Sequence, residues 1–295
     1  MSFSLKQIVV FDAIAQVGSV TQAADRLAMT QSAASMALSQ LEQQLGHPLF
    51  ERAGRQLVLN AWGHWLRPRA KRLLQDAAQI DQGFQGRHLL SGDLRLGISQ
   101  TIAEILLPQL VCQLDQSYPQ LRLAPHVSNS EQVIHSLLQH DLELGVIESR
   151  CDDSRLHSAH WCDDELVVVV GAEHPLAKSA AMVSVAQLSQ LRWVLRELGS
   201  GTRETFTGAI FNRITKLNIW REFSHVPTIM ALLSQGSYAS CLPKRIVQSA
   251  VQSGILAIVP VENLRIHRQF HFVWRKDASS DPLRDCVIEQ AKTIH

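Results

Sequence analysis

The stretch TQAADRLAMTQSAASMALSQLEQQLGHPLF, Thr21 to Phe50, carries hydroxyl and amide side chains at helical spacing and almost no charge. On a helix from Gln31 to about Leu45, the apolar residues Ala34, Leu38, Leu41 and Leu45 share one face. Ser32, Ser35, Met36, Ser39 and Gln43 then point the other way, at 100° per residue. A helix that meets only water carries more Glu, Lys and Arg. Short side chains bearing hydroxyls and amides suit close approach to base edges and phosphate oxygens in a major groove. The chemistry implied is hydrogen-bonded reading of DNA.

A second set of residues suits a small anion. Ser99, Gln100 and Thr101 follow a predicted strand, Asn129 precedes a predicted helix, and Glu148 ends the strand LELGVIES. Ser200, Gly201, Thr202 and Arg203 form the turn between RWVL and the next helix. Strand ends and helix starts in open α/β lobes gather free N–H groups and partial positive charge, which favour an anion. Ordinary helix capping is the alternative at each position. CDDSRLHSAHWCDDE, Cys151 to Glu165, holds the metal-competent His157, His160 and Cys162. An extended tail there sets His160 and Cys162 on one face and His157 on the other, so no metal site is assigned. A thiol switch using Cys151 and Cys162 stays open as an alternative. No phosphate-binding, dinucleotide-binding or nucleophile-elbow motif occurs, so neither catalysis nor a cofactor is expected.

Elements must hold these groups in place. Leu5, Ile8, Phe11, Ile14 and Ala15 predict a first helix ending near Gly18; Ser19 caps a second, and Thr30 caps the third, which Gly46 stops. HPLFERAGRQLVLN reads as a small hairpin, or wing, that presents Arg52 and Arg55. Thr21, Gln22, Thr30 and Gln31 lie at the starts of the second and third helices, so the expected DNA face combines these four with Ser32, Ser35, Met36, Ser39, Arg52 and Arg55. From about Trp62 to Phe84, the residues Leu66, Ala70, Leu73, Ala77, Ile80 and Phe84 form a heptad seam that predicts pairing of two chains. Pro68 argues for a start or kink there. Beyond Gly92, strands alternate with helices and predict a two-lobed α/β domain with mostly parallel sheets.

The bulk numbers fit several domains: 295 residues, 46% hydrophobic, with 28 basic and 27 acidic side chains. The charge is uneven. Arg52, Arg55, Arg67, Arg69, Lys71 and Arg72 fall in one stretch without an acidic residue. Five cysteines without a CxxC pair, and an amphipathic start carrying Lys6 and Asp12, predict a cytoplasmic protein with neither a secretion signal nor a membrane span.

GSVTQAADRLAMTQSAASMALSQLEQQLGHPLFER closely resembles the winged helix-turn-helix of LysR-type transcriptional regulators, through Ala23-Ala24, Leu27, Gln31-Ser32, Ser35, Leu41-Glu42, Leu45-Gly46 and Pro48 to Arg52. The likeness continues along the chain, and LRELGSGTRE and DDELVVVV are most similar to the family's YeiE-type and CysL-type branch. It implies an α+β multidomain protein: a DNA-binding domain over 1–60, a linker and dimerisation helix over 61–90, and a periplasmic-binding-protein-like effector domain over 91–295. Lobe one of that domain would span about 91–162 and 267–295, and lobe two about 163–266. Implied partners are double-stranded DNA at an interrupted palindrome, a small anionic effector such as sulfite, and further copies of the chain as a dimer or tetramer; RNA polymerase stays open. Met36 and Ala37 stand where many members carry Arg or Lys, and Gly236-Ser237-Tyr238 departs from the usual Gly-x-Gly, with Tyr238 expected to narrow the cleft. A solute-binding protein without DNA function is the rival class.

Overall fold

The computed structural model describes residues 3–54, 56–84, 90–179, 182–214, 216–278 and 280–294. They form two compact units, one of residues 1–89 with 138–141 and the other of residues 90–137 with 142–295.

In the first unit, α1 (Leu5–Val17), α2 (Val20–Arg26) and α3 (Gln31–Leu45) enclose a core of Ile8, Phe11, Ile14, Ala23, Ala24, Ala34, Leu38 and Leu41. Each helix begins at a hydroxyl cap: Ser4 with Gln7 as a reciprocal box, Ser19 for α2, and Thr30, whose Oγ1 accepts from Ala33 N at 3.2 Å. Ala28 turns the chain between α2 and α3 in the left-handed region, φ 51°. Leu5, expected among the buried residues of α1, is exposed. The wing is β1 (Phe50–Ala53) antiparallel to β2 (Gln56–Leu59), and Leu57 N ties it to Gly18 O at 2.9 Å.

The linker helix α4 runs unbroken over Ala61–Phe84, roughly 36 Å, with Pro68 inside it rather than at its start. Asn60 anchors it: Oδ1 accepts from Gly63 N at 3.0 Å and Nδ2 donates to Pro48 O at 2.9 Å. A Cβ on Gly63 would lie 2.1 Å from Leu49 O, so only glycine allows this approach.

The second unit holds β3 (Gly92–Ser99), α5 (Gln100–Ile105), α6 (Leu107–Ser117), β4 (Leu121–Ser128), α7 (Ser130–Leu138), β5 (Leu144–Ile147), β6 (Leu156–Gly171) and α8 (Pro175–Lys178). It continues through β7 (Arg192–Arg196), α9 (Gly201–Ile210), β8 (Asn218–Phe223), α10 (Val226–Gln235), β9 (Ala239–Pro243), α11 (Lys244–Gln252), β10 (Leu256–Ile258), β11 (Ile266–Arg275) and α12 (Pro282–Ala291). Among the described residues the strands form one nine-stranded sheet in the order β4-β3-β5-β11-β6-β9-β7-β8, with β10 on β6. The expectation of mostly parallel sheets needs correction. Pairing is parallel towards both ends, but β6 and β11 run antiparallel to each other and to β9 and β5. These two long strands cross between the lobes, which joins two parallel sheets into one mixed sheet.

Each lobe has its own core. Leu96, Ile98, Trp161, Phe270, Phe272 and Val287 build the first, where Trp161 Nε1 donates to Ala291 O at 2.8 Å. In the second lobe β6 is covered on both faces, with Leu166, Val168 and Val170 packed beside Trp193 and Phe206, and Val167 and Val169 beside Ile229 and Leu233. Double burial explains why ELVVVV is apolar without alternation.

Candidate functional site

In the first unit, Thr21, Gln22, Thr30, Gln31, Ser32, Ser35, Met36, Ser39 and Arg52 are all exposed, while Ala34, Leu38 and Leu41 of the same helix are buried. Thr30 is held as the cap of α3 and lies 3.1 Å from Ser32 Oγ. Arg55 falls outside the described residues.

Two positions of the heptad pattern on the linker helix are taken up inside the first unit. Leu66 and Ala70 are 9% and 1% exposed and belong to the winged-helix core, because α1 packs against the first turns of α4. The apolar residues left in the open are Trp62, Trp65, Leu73 and Ile80, with the Arg69 guanidinium 4.0 Å over the Trp65 ring. Ala77 is half-buried, and the Phe84 side chain lies outside the described ones.

The second unit gathers polar groups between its lobes around Glu148, at the end of β5. Glu148 Oε1 accepts from Thr101 N at 3.2 Å, Oε2 accepts from Thr202 Oγ1 at 3.0 Å, and Glu148 N donates to Ser130 Oγ at 3.2 Å. Arg268 Nη1 donates to Glu148 Oε2 and, at 2.9 Å, to Thr202 Oγ1, while its Nε donates to Asp164 Oδ2 at 2.8 Å. Gly201 permits this convergence, since a Cβ there would lie 2.7 Å from Glu148 Cβ. Burial works against ionising Glu148, yet Arg268, the neighbouring Ser99 and Thr101 hydroxyls and Arg196 outweigh it and hold the carboxyl down to about 2.

Several donors here remain unused. Ser128 Oγ, Ser200 Oγ and Arg196 Nη1 are buried without a hydrogen-bond partner, while the Ser99 and Thr101 hydroxyls turn to Glu148. Arg196, 2% exposed in its side chain, is gripped by Glu197 at 2.8 Å through Nε, which leaves Nη1 over. Buried donors in native structures are nearly always satisfied, which sets these apart. Glu148 and Arg268 also line an open cavity of about 700 Å³, together with Ser149, Glu204, His267 and Gln269.

Of the expected effector residues, the fold thus brings Ser99, Thr101, Glu148, Ser200, Gly201 and Thr202 together. Three are engaged otherwise. Arg203 turns within its own lobe, Nη1 to Arg196 O at 3.0 Å and Nη2 to Glu222 at 3.1 Å. Asn129 caps α7, accepting from Gln132 N at 3.0 Å, and Gln100 bonds Glu104 on its own helix at 3.1 Å. Tyr238 packs on Gly236 and the core of the second lobe instead of narrowing the cleft. Arg196, Arg268 and Asp164 were not singled out from the sequence. A charged residue closing the apolar run RWVLR, and one at a buried position of the alternating RQFHFVWR, were the available signals.

The Cys151 to Glu165 stretch also differs from expectation. The β6–β11 register shifts between Phe270 and His271, so Trp161 is an extra residue, and Cys162 pairs with Phe270 in the core while exposed His160 pairs with His271. The bulge puts His160 and Cys162 on opposite faces. Among the described residues no group of three or more His, Cys, Asp or Glu side chains is placed to hold a metal. Burial pushes both the Cys151 and Cys162 thiols up, which disfavours the reactive thiolate. No described helix is long and apolar enough to cross a membrane.

Comparison with known proteins places both units. Residues 5–64 match the family described as "Bacterial regulatory helix-turn-helix protein, lysR family", and residues 87–293 match the "LysR substrate binding domain". The chain is 37% identical over 275 residues to the HTH-type transcriptional regulator YeiE of Escherichia coli (strain K12), covering 93% of this chain and 91% of that one. It is 26% identical over 267 residues to the HTH-type transcriptional regulator CysL of Bacillus subtilis (strain 168), covering 89% and 88%. Full-length OxyR from Pseudomonas aeruginosa shares the fold, with a TM-score of 0.76 at 23% identity over 99% of this chain and 94% of that one.

Proposed function

Because this chain belongs to the LysR family of DNA-binding transcriptional regulators, we propose that it reads an interrupted palindrome and answers to a small oxyanion held between its effector lobes. The observation that carries the effector reading is the pair of buried, unpartnered donors Ser200 Oγ and Arg196 Nη1 close to the hydrogen-bonded group around Glu148. Donors at strand ends and helix starts supply hydrogen bonds that an oxyanion loses on leaving water. The likeness to the YeiE-type and CysL-type branch makes sulfite the first ligand to test. Arg196, rather than Arg203, takes the role of the reading cation.

On the DNA side, Gln31, Ser32 and Ser35 with Met36 and Ser39 face the major groove, Thr21, Gln22 and Thr30 meet the flanking phosphates, and Arg52 and Arg55 of the wing hold the adjacent backbone. Two chains pair through the exposed stripe of α4, Trp62, Trp65, Leu73 and Ile80, which sets the spacing of the half-sites. Coupling requires the anion to bind one lobe arrangement more tightly than another. Titration calorimetry with sulfite, followed by gel shift of operator DNA with and without it, tests the reading. Arg196→Gln should weaken sulfite binding and Arg203→Gln should not; equal losses in both variants would reject the assignment.

A further inference from the structure

The second lobe carries a cavity of its own, about 610 Å³, at the far end of α9 from Glu148. Gly201 and Thr202 at the start of that helix meet Glu148, whereas Ile210 at its end lines the cavity, roughly 14 Å along the axis. Ile210 is buried, and the half-buried Ile214 and Leu217 pack with it on the core of the lobe. Phe211 and Ile219 line the cavity too, yet are 79% and 38% exposed. Mostly apolar walls around a volume of this order are the usual form of a small-molecule site. Apolar side chains grouped at one opening also differ from the single exposed residues that every surface carries.

The polar groups set the charge of the occupant. Arg213 and Lys216 line the cavity, and no acidic residue does. Arg213 Nη1 donates to Asn263 O at 2.6 Å, which fixes the guanidinium without neutralising it, and neither cation is paired with a carboxylate among the described residues. The end of a helix ordinarily opposes an anion through its free carbonyls. Here Gly208 O accepts from Phe211 N, and Ile210 O accepts from Arg213 N at 2.9 Å and Ile214 N at 3.1 Å, so that last turn is largely satisfied. We propose that the cavity binds an amphipathic carboxylate, such as a medium-chain fatty acid, with its apolar body against Phe211, Ile214 and Ile219 and its carboxylate at Arg213 and Lys216.

A neutral ligand of the same length would cover the cations without pairing them, and an amphipathic amine would add a like charge; a carboxylate alone satisfies both parts of the wall. The site is separate from the one between the lobes, so it stands or falls independently of the oxyanion reading.

Titration calorimetry on the full chain with octanoate, octanol and octylamine tests the proposal. Octanoate should bind about three- to tenfold more tightly than octanol, and octylamine more weakly than either. Lys216→Glu should remove the preference for octanoate over octanol. Phe211→Ser, a change outside the core, should weaken octanoate by about tenfold. Arg196→Gln, between the lobes, should leave octanoate binding as it is. Octanol binding as tightly as octanoate, or no binding of either, would overturn the proposal. Octanoate binding that Arg196→Gln abolishes and Phe211→Ser spares would move the ligand to the interlobe site and overturn it too. If sedimentation velocity shows Phe211→Ser breaking an oligomer, a second copy of the chain fills the cavity, and the small-molecule assignment falls.

Discussion

Thr202 on the second lobe donates its hydroxyl to Glu148 on the first at 3.0 Å, and both side chains are buried. The same hydroxyl accepts from Arg268, which is bound to Asp164 as well, so one hydrogen-bonded chain links α9, β5, β11 and β6. Replacing Arg268 with Leu strips the only guanidinium bonded to Glu148 among the described residues. The expected loss is about 3–5 kcal/mol, because two carboxylates are left buried without their cation. Urea unfolding of the Arg268→Leu variant checks this; a change below about 1 kcal/mol would contradict it.

The pH dependence of stability follows from the same carboxylate. Glu148 titrates at about 2 in the folded chain, below its unfolded value. Its contribution is complete above the ordinary carboxylate range and is lost as pH falls towards about 2. Glu148→Gln should therefore flatten the acid limb of the stability-versus-pH curve. An acid limb as steep in the variant as in the parent chain would assign acid unfolding to other groups.

Arg52 and Ser35 should behave differently on DNA. Arg52→Ala should weaken binding to specific and random duplexes alike and lower the salt slope by about 1, the signature of a lost phosphate contact. Ser35→Ala should change the ratio of specific to random binding instead. Fluorescence anisotropy over a salt series separates the two, and an unchanged ratio for Ser35→Ala would remove that residue from base reading.

The two halves of α4 yield opposite phenotypes. Leu66→Ala cuts into the winged-helix core and should lower stability by about 2–5 kcal/mol without dissociating the oligomer at concentrations where it remains folded. Ile80→Glu, on the exposed stripe, should leave folding intact and yield smaller species in sedimentation velocity. Dissociation by Leu66→Ala alone, with Ile80→Glu still assembled, would move the pairing surface to the first half of the helix.

Gly63→Ala tests the seating of the linker helix. The added Cβ meets Leu49 O at 2.1 Å, a backbone atom that cannot swing aside. A loss of about 1–3 kcal/mol is expected from thermal melting, and a neutral result would mean that α4 shifts freely on the wing.

Helix limits, caps and the order of strands and helices were legible in the sequence because they depend on groups a few residues apart. Thr30 and Ala33, or Asn60 and Gly63, form their contacts as soon as the helix forms. Six of the residues gathered around Glu148 were legible too, since strand ends and helix starts in an α/β lobe bring their free N–H groups to the same edge. Only the tertiary structure decided which arginine keeps an unbonded nitrogen. Arg196 closes β7 and Arg203 lies in the first turn of α9, but β8 brings Glu222 to Arg203, while Arg196 is held by its neighbour with one nitrogen left free. Glu148 and Arg268 are 120 residues apart, and no local pattern pairs them. Periodicity likewise identified an apolar face on α4 but not what covers it, because a residue's spacing says which neighbours share its side of a helix, whereas burial of Leu66 and Ala70 depends on where α1 packs.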